Sequence, residues 1–324
     1  MKAITYNQYG GPEVLQLSEI EKPVPKNDEV LIRVHAASLN ALDWRMMRAS
    51  PFLIRFIQGF FRPKPGRVGA DVAGVVEAVG PKVHKLKPGD EVFGEAIKNK
   101  RYGTCAEYVC TDEGSLALKP KALSFSVAAT LPVAGITSLQ GLRDNGQIRA
   151  GQNVLIHGAS GGVGSFAVQI AKAYGTEVTA VCSTAKTEMV RSIGADHIID
   201  YKKEDFTQKD KKYDLIYAAN GNRSVFEYKN ALTSSGIYAC AGGSMRQLFQ
   251  AMLIGYLLSQ KRGKKMCSVS AQMNTKDLEF LGQLAAEGKL TPVIDRAYPL
   301  EETKAAMQYL DEGHVAGKVV ILGV

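Results

Sequence analysis

Over residues 1–123, apolar and polar positions alternate in short runs broken by Gly10-Gly-Pro12, Pro23-Val-Pro25, Gly80-Pro81 and Lys87-Pro-Gly-Asp90. That pattern predicts a mostly β region. From about residue 124 the period changes. Apolar runs at 154–157, 178–183, 197–200, 213–217, 236–241 and 266–270 alternate with helix-like stretches, which predicts an α/β domain built on a doubly wound parallel sheet. Beyond about residue 272 come a helix at 277–287, an extended stretch at 292–298, another helix and a last strand at 318–322. This tail is expected to return to the first domain. The expected organisation is therefore 1–123 plus 272–324 as one domain, with 124–271 inserted as the second.

The candidate chemistry sits where the first strand of that second domain runs into a helix. Gly158, Ala159, Ser160, Gly161, Gly162, Val163 and Gly164 follow the apolar run Val154-Leu-Ile156 and precede an amphipathic stretch carrying Val168, Ile170 and Ala171. Glycines at these places let the chain turn tightly, admit a pyrophosphate and pack helix on strand. The helix N-terminus then offers N–H groups and a positive dipole end to phosphate oxygens. A surface turn rich in glycine is the plainer alternative, and the strand–turn–helix context argues against it.

The residue ending the second strand reads the adenosine ribose in such folds, and an acid there selects NAD. Here the strand ends in Ser183-Thr-Ala-Lys186; Glu177 lies at its other end and Glu188 is already on the next helix. A hydroxyl and an ammonium favour a 2′-phosphate, so the expected cofactor is NADPH. Lys186 as a merely solvated helix-start lysine stays open. Tyr201 is placed after the third strand, Asn220 and Gly221 after the fourth, and Gly242 and Gly243 after the fifth. Ligands of open α/β sheets bind at those strand ends.

With 324 residues, 45% of them hydrophobic, the chain can bury a large core. Its net charge of +8 is dispersed rather than gathered on a nucleic-acid motif, so no nucleic-acid partner is expected. No apolar run is long enough to span a membrane and no secretory signal is evident. Cysteines 105, 110, 182, 240 and 267 are odd in number and scattered, which suits reduced thiols; cytoplasmic residence is the expectation. Two segments, 50–67 and 245–265, mix apolar and basic residues and suit a substrate lid, a dimer surface, a membrane-touching patch or ordinary packing.

Ordered motifs along nearly the whole chain resemble the medium-chain dehydrogenase/reductase superfamily, in its zinc-independent quinone oxidoreductase branch. They are Gly10-Gly-Pro-Glu-Val14, Ala36-Ala-Ser-Leu-Asn40, Gly69-Ala-Asp-Val-Ala-Gly-Val-Val-Glu-Ala-Val-Gly80, Lys87-Pro-Gly-Asp-Glu-Val92, His157-Gly-Ala-Ser-Gly-Gly-Val-Gly164 and Gly317-Lys-Val-Val-Ile321. The resemblance implies a GroES-like catalytic domain joined to a Rossmann domain, and a homodimer. Zinc-dependent members place a Cys where this chain has Asn40 and a His-Glu pair where it has Ala70-Asp71. Cys105 and Cys110 lack the spacing and partners of a structural zinc lobe. No metal is expected.

Without a Lewis acid a simple alcohol is a poor hydride donor, whereas a quinone or an α,β-unsaturated carbonyl spreads the incoming charge by conjugation. The expected activity is NADPH-dependent reduction of such a small molecule. By resemblance, Asn40 and Asp43 line the cleft, Asn40 as a donor to the acceptor oxygen, and Thr137 holds the nicotinamide end. Asp43 as a plain helix cap is an equal alternative, and His35 and Trp44 read as structural. A zinc-free aldehyde or ketone reductase, and a nucleotide-binding sensor without turnover, remain as other readings. The acceptor and the proton donor are not legible.

Overall fold

The computed structural model describes residues 1–64, 66–97, 103–244, 247, 250, 259 and 263–323. The chain opens with β1 (Lys2–Thr5), β2 (Gln16–Glu19) and the long β3 (Glu29–Leu39), followed by helices α1 (Ala41–Arg48) and α2 (Ile54–Gln58). Strands β4 (Asp71–Val79), β5 (Glu91–Glu95), β6 (Tyr108–Asp112) and β7 (Leu116–Leu118) lead to α3 (Phe125–Ala128) and α4 (Pro132–Gln140). Alternation then begins: β8 (Asn153–His157), α5 (Gly162–Ala173), β9 (Glu177–Cys182), α6 (Thr187–Ser192), β10 (His197–Asp200), β11 (Tyr213–Ala218), α7 (Val225–Ala231), β12 (Leu232–Cys240) and β13 (Lys265–Ser268). The described elements end with α8 (Thr275–Ala286), β14 (Ile294–Pro299), α9 (Thr303–Asp311) and β15 (Lys318–Leu322).

The chain divides into two units, Met1–Val133 with Met273–Ala286 and Ile294–Val324, and Ala134–Gln272 with Glu287–Val293. In the first, a sheet runs in the order β14-β15-β3-β4-β5-β7, with β6 also on β3. Its spine is β3, whose two faces feed two cores. Val30, Ile32 and Val34 pack with Val72, Val76 and Val92, while Ala37 and Leu39 pack with Tyr6, Met47, Val319 and Ile321. This is the alternation of a strand buried on both sides.

The second unit holds a parallel sheet in the order β10-β9-β8-β11-β12-β13. The chain reverses direction of growth between β8 and β11, which is the switch point of a doubly wound sheet. Val154, Leu155 and Ile156 of β8 are each 0% exposed, as a central parallel strand requires.

Two stretches fold differently from the sequence-based division. Residues 124–133 join the first unit, because α3 packs on β3 and β4 and the Val133 N–H donates to Asp71 Oδ1 at 2.9 Å. Residues 287–293 join the second, where Thr291 exchanges hydrogen bonds with the Gln169 amide of α5 at 2.7 and 3.0 Å. Of the apolar-basic segment 245–265, most residues lie outside those described.

Candidate active site

In the second unit, the C-terminal ends of the parallel strands gather the residues read from the sequence. Gly158 follows β8 with φ +81°, and a Cβ there would sit 2.8 Å from the Asn220 backbone nitrogen. The turn after β8 therefore lies directly against the turn after β11. At Gly164 a Cβ would come within 2.0 Å of the Gly158 carbonyl oxygen, so only glycine lets α5 start this close to the strand. Between them Gly161 is the N-cap of α5, and a Cβ there would meet nothing nearer than 3.8 Å. Lacking a capping side chain, the helix start leaves its first N–H groups to be met from outside.

Neighbouring turns complete the rim. Gly242 N–H donates to Ala218 O at 3.1 Å, and Gly221 N–H to Gly242 O at 3.2 Å, which places Asn220, Gly221, Gly242 and Gly243 side by side. Thr137 is half-buried on α4; its carbonyl accepts from the Tyr217 hydroxyl at 3.0 Å, and the next residue, Ser138, donates to Val163 O at 2.7 Å. Thr137 thus stands beside the glycine turn, in the same unit.

At the far end of the rim, Ser183 and Lys186 are half-buried after β9 and Tyr201, 51% exposed, follows β10. The structure adds one residue that the sequence pattern hid. Asp200, the last residue of β10, accepts from the Thr184 hydroxyl at 2.5 Å and from the Lys202 N–H at 3.1 Å. Those bonds, led by that from Thr184, hold its carboxyl below the usual range. The acid absent from the end of the second strand is therefore supplied from the third, but with its oxygens engaged.

Under the rim lies a buried polar pair. His157 Nδ1 and the Tyr228 hydroxyl are 2.8 Å apart, with Phe206 edge-on to the imidazole. Burial, joined by the Arg223 charge and opposed by Asp205, pushes the imidazole down to about 4. Unfolded histidine titrates near about 6.5, so below that pH the unfolded chain binds a proton the folded one refuses. Stability present above pH about 6.5 is lost as the pH falls toward about 4. We expect about 2 kcal/mol of loss from this group between pH 7 and 5. His35, also lowered by burial, adds loss of the same sign. Urea unfolding at the two pH values checks it: His157→Gln flattens the dependence, and an unaltered slope would remove His157 as its source.

In the first unit, the end of β3, the start of β4 and β15 close on a second polar cluster. Lys318 and Asp71 are 2% and 0% exposed and their Nζ–Oδ2 distance is 3.2 Å. Lys318 Nζ also donates to Leu39 O at 3.2 Å and Asn40 Oδ1 at 2.6 Å. Asp71 accepts further from Ser38 Oγ at 2.7 Å and Asn40 Nδ2 at 2.9 Å. Every charge buried here has partners, as burial demands.

The Asn40 amide is thus turned inward, 8% exposed, with Nδ2 on Asp71 and 3.5 Å from Ser38 O. This differs from the expected donor aimed at an acceptor oxygen: the neighbouring carboxylate is the stronger claimant on the amide protons. Asp43 is 1% exposed and accepts from the Asn40 N–H at 2.6 Å and the Gly69 N–H at 3.2 Å, which is the geometry of the capping alternative. Trp44 packs on the Tyr6 and Met47 core. Among the described residues, no group of three or more His, Cys, Asp and Glu side chains is arranged to hold a metal ion.

Residues 26–121 match the alcohol dehydrogenase GroES-like domain and residues 193–321 the zinc-binding dehydrogenase domain. The chain is 38% identical to a 2-methylene-furan-3-one reductase of Solanum lycopersicum, covering 99% of this chain and 79% of that one. The chain belongs to the medium-chain dehydrogenase/reductase superfamily. Among its members, an NADPH-dependent alkenal/one oxidoreductase, chloroplastic, of Arabidopsis thaliana is 37% identical over 99% of this chain and 79% of its own. The solved quinone oxidoreductase from Coxiella burnetii superposes with TM-score 0.90 at 32% identity, covering 100% of this chain and 99% of that one. The first unit, whose sheet is antiparallel except for the β14–β15 pair, and the parallel second unit are the GroES-like and Rossmann-like parts of that superfamily's fold.

Proposed function

We propose that the protein is an NADPH-dependent oxidoreductase that reduces quinones or the conjugated double bond of enones and alkenals without a metal ion. One observation carries the reading: at the positions where zinc-dependent members hold their metal, the buried cation is the Lys318 ammonium, already paired with Asp71 and Asn40. A zinc ion does not fit this donor set. Ala70 offers no ligand, and the Asp71 oxygens accept from Ser38, Asn40, Lys318 and Val133.

NADPH does fit the second unit. The glycine turn leaves space and helix N–H groups for a pyrophosphate, and Lys186 with Tyr201 stands ready for the 2′-phosphate. Bound NADPH supplies the hydride. The chain's residues would position it: Gly158 to Gly164 would hold the pyrophosphate, with Asn220, Gly242 and Gly243 along the same rim and Thr137 at the nicotinamide end. Asn40 and Asp43 act by fixing the wall formed at the end of β3, through the bonds already described. With no Lewis acid, the acceptor must stabilise its own charge, which conjugated carbonyls do and saturated ones do not.

The names of the similar proteins, a 2-methylene-furan-3-one reductase, an alkenal/one oxidoreductase and a quinone oxidoreductase, support this acceptor class. All five cysteines are free, which supports a reducing compartment such as the cytoplasm. A homodimer is proposed from the family alone and is read by sedimentation equilibrium. The activity is tested by following NADPH absorbance with quinones, enones, alkenals, saturated carbonyls and alcohols. Turnover is expected only with the first three; turnover confined to saturated carbonyls would overturn the reading.

A further inference from the structure

Helix α2 and the turns on either side carry large apolar side chains on their outer face. Phe52, Leu53, Phe56, Phe60 and Phe61 are 54%, 64%, 69%, 45% and 86% exposed. Phe56 lies on the helix and Phe52 and Phe60 in the turns before and after it, and the ring contacts bring the three together. Ring centroids lie 5.8 Å apart for Phe52–Phe60, 5.5 Å for Phe56–Phe60 and 5.1 Å for Phe60–Phe61, making one contiguous patch. Single exposed apolar residues are ordinary, but a joined aromatic surface marks a contact site. The segment's other side is fastened: the Tyr9 hydroxyl donates to Gly59 O at 2.7 Å, and the Arg55 guanidinium lies 4.7 Å from the Tyr9 ring centre.

Charge decides what covers the patch. Between Asp43 and Asp71 the sequence contains no Asp or Glu, but it has Arg45, Arg48, Arg55, Arg62, Lys64 and Arg67. The two bounding acids are buried, at 1% and 0% exposure. Arg48 pairs with Asp311, whereas Arg62 and Lys64, directly after the exposed Phe60 and Phe61, are themselves exposed. A second copy of this chain, docking patch to patch, would bring these cations against their own kind. An aromatic face whose own segment carries cations and no acid instead complements an anionic bilayer, where rings enter the acyl boundary and guanidinium and ammonium groups meet lipid phosphates.

We propose that the 52–61 patch docks the protein on the surface of an anionic membrane. The docking is peripheral, reversible and weakened by salt. It does not depend on which acceptor the enzyme reduces.

The test uses the full chain and sedimented vesicles of phosphatidylcholine, alone or with about 30 mol % phosphatidylglycerol. Binding to the anionic vesicles is expected to be about tenfold tighter than to neutral ones, and to fall by a similar factor in Phe56→Asp/Phe61→Asp or in high salt. Both side chains are exposed, so the variant should melt with the parent; if it does not, Arg62→Glu/Lys64→Glu gives the same reading through charge. At matched ionic strength, inorganic phosphate failing to compete supports a bilayer site, and full competition overturns it. Equal binding by parent and both variants, or none by the parent, also overturns the proposal. So does a variant that binds vesicles as the parent does while losing self-association or turnover, which would make the patch a subunit contact or a substrate cover.

Discussion

Replacing Lys318 with methionine is expected to lower the free energy of unfolding by about 3–5 kcal/mol, the cost of stranding a buried charge. The side chain is 2% exposed, and its ammonium serves Leu39 O, Asn40 Oδ1 and Asp71 Oδ2 at once. Methionine matches the stem in length but leaves the Asp71 carboxylate without its counter-ion and an amide oxygen without its donor. Because the loss comes from the abandoned carboxylate, Lys318→Met/Asp71→Asn should recover part of it, since a neutral amide removes the stranded charge while its oxygen still accepts from the donors around it. Urea unfolding of the two variants measures both effects. A single variant within about 1 kcal/mol of the parent would show that the pair does not hold these strands together.

Lys186→Glu is expected to reduce kcat/KM for NADPH by about 30–100-fold while leaving NADH nearly unchanged. A cation beside a phosphate dianion becomes a repelling anion, a change of about 2–3 kcal/mol at a partly solvated site. Only the cofactor carrying a 2′-phosphate feels it. Asp200 adds to the result, because its carboxylate already stands by the same turn, bonded to Thr184. Steady-state rates with each cofactor decide the point, and an unchanged preference would move the selection to another residue.

The centre of the parallel sheet was legible because its strands are buried on both faces and so read as unbroken apolar runs, as 154–157 does on β8. Where strands carry exposed polar residues the pattern fails. β12 begins at Leu232, earlier than the predicted 236, because Ser234 and Ser235 are exposed and give no apolar signal. Helix α2 was not foreseen, since it is only five residues long, with Phe56 exposed and the polar Gln58 buried, and so mimics no buried apolar periodicity. The boundary near residue 124 follows a change of period, but which core a helix joins is a matter of packing: α3 lies on β3 and β4.

The rim of the second unit was readable from strand ends alone, since topology puts every such turn on one edge. Lys318 and Asp71 were not paired in advance. They stand 247 residues apart, and the only signals were a lysine opening an apolar strand and an acid interrupting Ala70-Asp71-Val72. Asp200 escaped for a similar reason: it closes the third strand, and its turn toward Thr184 is a property of the folded chain.

β15 is not an edge strand; it lies between β14 and β3, pairing Val319 with Leu39 and Leu322 with Ala36. During synthesis, that flank of β3 must therefore wait unsealed until residues 318–322 have followed it. Bridging so long a span delays the closing contact and lengthens the time during which bare backbone hydrogen-bonding groups are open to other chains. An inserted second unit able to fold in the interval shortens nothing in sequence, but it replaces a long slack tether with a structured one.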